Sequence, residues 1–162
     1  MISLLPSGGD SRPDYPYPVQ TFEDQGREHL PPGQTYDFYN SNPPTSGPHS
    51  AQPADWGVHE EPVPKEMPVH NLEHGGVAIL YDCSADVPLD DAQCRELSDQ
   101  LAALVKSNLS NRKPVLMAPN FGMEHRIALT AWRTLDTLDQ FDEGRVQAFI
   151  DAYDRKFNPE GF

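Results

Sequence analysis

The run Gly76-Val77-Ala78-Ile79-Leu80-Tyr81 is apolar over the length of a strand and directly follows Gly75. A strand that is buried on both faces has a continuous apolar sequence instead of an alternating one. The run therefore predicts a strand at the centre of a sheet. Downstream, Pro88 and the acidic pair Asp90-Asp91 predict the first turn of a helix that extends to about Leu109.

Three further elements are expected in the C-terminal half. Val115 to Ala118 predicts a second strand that ends at the turn Pro119 to Gly122, and Ile127 to Trp132 predicts a third, antiparallel to the second if the turn closes a hairpin. Asp139 is a candidate N-cap of a last helix, whose apolar stripe would be Val146, Phe149, Ile150, Tyr153 and Phe157. The order β-α-β-β-α predicts an α+β fold with a small, mostly antiparallel sheet, two helices and a Pro-rich irregular N-terminal half.

The N-terminal half is rich in residues that interrupt regular structure. Most of the 17 prolines and 11 glycines precede residue 77, and the hydrophobic fraction of 37% predicts a small core. We predict that residues 1–18 form a flexible tail or linker and that residues 19–162 form a single α+β domain. Within that domain, Gln34 to Tyr39 alternates so that Tyr36 and Phe38 would lie on one side of a short strand.

The formal charge of −13 restricts the possible partners. It would repel nucleic acid phosphates and anionic headgroups, so we expect no nucleic acid partner and a favourable approach of cations. No stretch has the roughly 20 apolar residues that cross a bilayer. Met1 to Pro6 is too short for a signal peptide, so any export or membrane-anchoring segment would be one that is absent here.

Two cysteines suggest a disulfide. Cys83 ends the apolar run, and Cys94 shares a helical stripe with Leu97, Leu101, Leu104 and Val105. We expect a bond between them and therefore an oxidising compartment outside the cytosol. Two reduced core thiols or a thiolate pair that binds metal are the alternatives, although the spacing matches no common zinc motif.

The sequence His70-Asn71-Leu72-Glu73-His74 indicates a metal site. Residues four apart on a helix lie on one face about 5–6 Å apart, so both imidazoles can reach one ion. Pro68 suits the start of such a helix, and Gly75 suits the left-handed position after its end. The alternative is that these histidines only satisfy hydrogen bonds, as many helical histidines do.

The loop from Tyr39 to His49 supplies a third imidazole. It is too rich in Pro, Asn, Ser and Gly to be a helix or a central strand, and a long polar loop of this kind is often functional. Trp56 follows closely and could shield a site, but a core position is the safer interpretation. His29 and His59 are predicted as surface residues.

Sulfur ligands would determine which metal binds. Met117 lies in an apolar strand and is expected in the core, whereas Met123 lies in a polar turn where a methionine has little reason to pack. His125 could point into the same site or be exposed between two charged residues. A thioether beside imidazole selects Cu(I), whereas a set of His and carboxylate ligands suits zinc or Cu(II).

The chain resembles the bacterial domain-of-unknown-function family 3105 from about Val19 to Glu160. The motifs that match are the Asn-Pro-Pro-Thr-Ser-Gly-Pro-His core of the loop at 39–49, His70 to Gly76, Tyr81 and Ala131-Trp132. Members of that family look like exported proteins, often with one membrane-spanning helix before the domain, and no activity is assigned to them. The resemblance implies a location in the periplasm or cell envelope, anchored or secreted. It also implies that the family's pattern includes His49, His70, Glu73 and His74.

Three functions are compatible with these features. The first is a copper-binding protein that sequesters or transfers the metal, with Cu(I) preferred, zinc as the alternative ion, and the ligands His49, His70, His74, Met123 and His125. The second is a zinc-dependent hydrolase, because His70-x-x-Glu73-His74 matches the inverted zinc-peptidase signature. The third is a metal-free module that binds another envelope protein. We favour metal binding over catalysis, since Gly75-Gly76 ends the helical turn immediately after the motif.

Overall fold

Eight strands and three helices lie within residues 14–157, which are the residues that the structure, a computed structural model, describes. The strands are β1 (Gln20–Thr21), β2 (His29–Leu30), β3 (His49–Ser50), β4 (Gly57–Val58), β5 (Val77–Tyr81), β6 (Val115–Pro119), β7 (Ile127–Ala131) and β8 (Thr134–Leu138). The helices are α1 (Glu66–Glu73), α2 (Asp91–Ser110) and α3 (Glu143–Tyr153).

The six-stranded sheet has the order β1-β8-β7-β5-β6-β4, and β2 pairs with β3 in a separate two-stranded sheet. The run at Val77–Tyr81 is central, as predicted, because it pairs parallel with β6 and antiparallel with β7. The pairings β1·β8, β7·β8 and β5·β7 are antiparallel, so the larger sheet is mostly antiparallel. The α+β fold predicted from the sequence is confirmed.

The predicted hairpin between the second and third strands is wrong. The α2 crossover returns the chain parallel to β5, and the segment after β6 then passes the end of β5, where Asn120 donates its N–H to the carbonyl of Tyr81. β7 therefore pairs with β5 instead of β6. Its hairpin partner is β8, which the sequence did not predict, and Arg133 in the turn has a φ of 63°.

Two smaller predictions also differ from the structure. Gln34 to Tyr39 is not a strand, because its backbone hydrogen-bonds to side chains: the N–H of Tyr36 donates to Glu66, at 2.9 Å. The last helix is capped by Asp142 instead of Asp139, because Asp142 lies directly before α3 and its side chain accepts from the N–H of Arg145.

Alternate residues of β5 lie on opposite faces of the sheet. Val77, Ile79 and Tyr81 pack in the main core with the apolar stripes of α2 and α3. Ala78 lies on the opposite face, in a cluster that also contains Val69 and Leu72 of α1. Burial of those two α1 residues fixes the helix that bears His70 against the sheet.

Further observations bear on the location and on the termini. Cys83 and Cys94 form the expected disulfide, which joins the exit of β5 to α2. Among the described residues, none of the helices combines the length and the apolar character that crossing a bilayer requires. The predicted tail lies partly outside the described residues, and its described part contacts the domain, since Tyr15 packs against Phe149.

Candidate metal centre

Helix α1 presents two of the predicted ligands. His70 lies in its last turn and His74 is its C-cap residue, and their Nε2 atoms are 3.0 Å apart. Gly75 follows with a φ of 86°, and a Cβ atom at this position would lie 2.8 Å from the Cα atom of Arg155. The glycine therefore permits both the end of the helix and the close packing of the C-terminal segment.

The loop at 39–49 delivers His49 to the same place. The hydroxyl of Tyr39 donates to the carbonyl of Pro48 at 2.5 Å, and the amide of Asn71 on α1 exchanges two hydrogen bonds with the backbone of Ala54. These contacts fix the loop and the segment after it on α1. His49 is completely buried as a result.

His29 joins the cluster, although the sequence predicted only a surface residue. Strand β2 pairs parallel with β3 so that His29 lies directly opposite His49. The ring centroid of His29 is 5.2 Å from that of His49 and 5.2 Å from that of His70. His29 is exposed at its strand position, so it forms the solvent side of the cluster.

Backbone carbonyls select the tautomers of the two buried histidines. Nδ1 of His49 is 2.8 Å from the carbonyl of Gly47, and Nδ1 of His70 is 2.8 Å from the carbonyl of Ser50. A carbonyl only accepts, so each Nδ1 bears a proton, and in the neutral ring the Nε2 lone pair is directed into the cluster. Burial lowers the pKa of His70, assisted by His49 and His74, although the bond to Ser50 opposes it. The lowered pKa favours the neutral imidazole, which is the form that can bind a metal ion.

Glu73 introduces a buried carboxylate. It is only 4% exposed, and its Oε1 atom lies 2.9 Å from Nε2 of His49, while Oε2 lies 3.6 Å from Nη1 of Arg27. The short contact with His49 lacks the angles of a hydrogen bond, and neither atom has another hydrogen-bond partner among the described residues. Two electron-rich atoms at this distance repel each other unless a proton or a metal ion lies between them.

The donor atoms form two overlapping sets. One consists of His29, His49 and His70, the other consists of His70, Glu73 and His74, and in each set the ligand atoms lie within 4.8 Å of one another. His70 belongs to both sets but has a single lone pair available, because Ser50 occupies its other nitrogen. The two sets therefore offer this nitrogen to no more than one ion at a time.

The structure places the remaining predicted ligands differently. Met123 is buried in an apolar cluster with Leu80, Ala118, Ala128 and Leu135, which contains none of the histidines. His125 is partly exposed, with Nδ1 3.1 Å from Oδ1 of Asp139, and it belongs to neither ligand set. Met117 is in the core, as predicted, and His59 is partly exposed.

Trp56 neither covers the cluster nor lies in the core. It is 41% exposed, and its ring packs over Gly76, where an added Cβ atom would come within 2.3 Å of the indole. The glycine pair after His74 thus provides both the end of the helix and a flat surface for this ring.

Comparison with known proteins identifies a family but no activity. The family model of DUF3105, a protein of unknown function, matches residues 29–161, which include all four clustered histidines and Glu73. Neither the curated proteins nor the solved structures contain a match.

Proposed function

The chain belongs to DUF3105, a family of proteins of unknown function, and we propose that it binds one transition-metal ion in the cell envelope and sequesters or transfers that ion. The ligands that we propose come from the set His29, His49, His70, Glu73 and His74. Metal binding requires deprotonated donors that converge from fixed positions.

The contact between His49 and Glu73 is the observation that supports this proposal most strongly. Among the described residues, Nε2 of His49 and Oε1 of Glu73 are the buried side-chain polar atoms that lack a hydrogen-bond partner, and they lie 2.9 Å apart. A proton on the imidazole makes this contact an ion pair, and a cation bound by both atoms would satisfy both of them in the neutral state. The net charge of −13 favours the approach of that cation as well.

The donor atoms favour copper or zinc over harder ions. Imidazole nitrogen with one carboxylate suits Cu(II) and zinc, and Cu(II) binds such sets more tightly in the Irving–Williams order. We therefore propose copper ahead of zinc. A preference for Cu(I) would need a sulfur ligand, and Met123 is the candidate for that role. Because Met123 lies in an apolar cluster that contains none of the histidines, its position supports Cu(II) as the oxidation state that is bound.

The envelope location is proposed from the disulfide. The bond between Cys83 and Cys94 is stable in an oxidising compartment such as the periplasm or the cell surface. A protein that holds copper there would act as a buffer or as a carrier between other envelope proteins.

The geometry gives less support to hydrolysis. A general base must reach a metal-bound water, whereas Glu73 is buried and contacts His49 and Arg27. Measurable turnover of a generic peptide by the zinc-loaded protein would restore the hydrolase interpretation. A metal-free binding module remains the alternative if no ion binds.

The test compares metal binding by paired variants. The His70→Ala/His74→Ala variant removes donors from both ligand sets, whereas His59→Ala removes a partly exposed histidine outside them. We expect competitive titration with Cu(II) and with Zn(II) to show one tight site in wild type and in His59→Ala. The double variant, folded by circular dichroism, should lose it; unchanged stoichiometry in that variant would eliminate the site.

A further inference from the structure

We infer that His29 is the exchangeable ligand of this site, which leaves the ion first and which a donor atom of an acceptor protein replaces during transfer. This inference rests on the proposed function and identifies the ligand at which transfer from that site begins. His29 differs from the other donors in its exposure, in the anchoring of its ring and in the strand that bears it.

Exposure determines where an incoming ligand can attack. His49, His70 and Glu73 are buried and His74 is half-buried, whereas His29 is exposed. A donor from another protein must approach the ion from solvent, and His29 occupies the solvent side of the cluster. The exchange is a ligand substitution: one bond from nitrogen to the metal breaks, one bond from the new donor forms, and no electron is transferred.

Anchoring separates His29 from the two buried histidines. The rings of His49 and His70 are each oriented by a hydrogen bond to a carbonyl, at 2.8 Å in both cases. Within residues 14–157, the ring of His29 makes no hydrogen bond, and its ring contacts are those with His49 and His70. An imidazole that lacks such an orienting partner is the weakest ligand in a set, because its bond to the metal alone must fix the ring.

The backbone keeps His29 near the ion after the bond breaks. Strand β2 pairs with β3, and the N–H of His49 donates to the carbonyl of Glu28 at 2.9 Å. A ring that has released the ion therefore stays within reach and can bind again. This arrangement allows repeated opening of the site while the buried ligands retain the ion.

The experiment measures zinc transfer from the full chain to the chromophoric chelator 4-(2-pyridylazo)resorcinol. In His29→Ala we expect one zinc ion per chain, an affinity reduced by about 10-fold and a release that is faster by about the same factor, because water replaces the missing imidazole. Free imidazole added to the buffer should slow this release toward the wild-type rate. His59→Ala should behave as wild type.

Two results would overturn the exchange role alone. Complete loss of zinc in folded His29→Ala would make His29 an essential ligand, and an unchanged release rate would show that it does not bind the ion. Failure of wild type to bind zinc or Cu(II) would instead overturn the proposed function, and with it this inference.

Discussion

His49 and Glu73 face each other inside the protein, with Nε2 of the imidazole 2.9 Å from Oε1 of the carboxylate. One side chain comes from the proline-rich loop and the other from the last residue of α1, so the contact joins the irregular loop to the helix. Its geometry is not that of a hydrogen bond. Packing of the irregular loop on α1 therefore brings together two of the atoms that we propose as ligands of the cation.

Glu73→Gln should separate metal binding from stability. The amide can donate to Nε2 of His49, and the lost ion pair with the half-exposed Arg27 is worth at most about 1 kcal/mol. We expect the metal-free variant to be as stable as wild type within about 1 kcal/mol, and metal affinity to fall by roughly 10- to 100-fold.

Thermal unfolding in chelator and competitive titration with Cu(II) measure these two effects. Glu61→Gln, which changes an exposed carboxylate, serves as the control. A large loss of stability in metal-free Glu73→Gln, together with unchanged affinity, would show that Glu73 has only a structural role.

Met123→Leu tests whether sulfur takes part. Leucine retains the volume that Met123 fills beside Leu80 and Ala128, so the free energy of unfolding should change by less than about 1.5 kcal/mol. We expect unchanged affinity for Cu(II), measured by competitive titration. A marked loss of Cu(I) affinity in this variant under anaerobic conditions would instead make Met123 a ligand, and His125→Ala would then be the next variant to titrate.

Loss of the disulfide should lower stability. The bond closes a loop between Cys83 and Cys94, which are 11 residues apart, and loops of this size contribute about 2–3 kcal/mol by restricting the unfolded chain. We expect urea unfolding of the Cys83→Ala/Cys94→Ala variant to show this decrease. Reductant should destabilise wild type by a similar amount and leave the variant unchanged; equal stability of all samples would contradict the assignment.

Asp82→Asn should reduce stability in a manner that depends on pH. Burial opposes ionisation of Asp82, but hydrogen bonds from Ser84 and from the N–H groups of Met123 and Gly122 outweigh burial and lower its pKa. In the variant, the NH2 group of asparagine replaces one carboxylate oxygen and faces N–H donors from which it cannot accept. We therefore expect the free energy of unfolding to fall by about 3 kcal/mol at pH 7.

The sign of the pH effect follows from the lowered pKa. A carboxylate with a lower pKa in the folded state stabilises the protein above its unfolded pKa of about 3.9, and this contribution disappears as the pH falls through the folded value. Urea unfolding at pH 7 and at pH 3 should therefore show that the free energies of unfolding of Asp82→Asn and wild type differ less at pH 3. A difference that grows on acidification would contradict this role.

The sequence predicted the elements whose hydrophobic pattern is strong. The apolar run at Val77–Tyr81 and the helix at Asp91–Ser110 are clear because burial alone determines their patterns. Strand β8 was missed because it contains Asp136, which suggests a loop. In the structure, Arg145 donates to both carboxylate oxygens of Asp136, at 2.9 and 2.6 Å, so the charge is buried with a partner that sequence spacing does not reveal.

The candidate site was only partly predictable for a similar reason. His70 and His74 are related by helical spacing, which a sequence displays directly. His29 joins them through a strand pair of two residues, too short to show any alternation, and the contact between His49 and Glu73 depends on how an irregular loop packs on α1. The partner of β7 also depends on long-range packing, because local turn sequences do not specify crossovers.

Native mass spectrometry of the tag-free protein, after incubation with excess Cu(II) and removal of loosely bound ions, counts the ions that each chain holds. Because both ligand sets share the one available nitrogen of His70, we expect one ion per chain. Absence of bound metal would contradict the proposed function, and two ions held in the cluster would contradict the shared site.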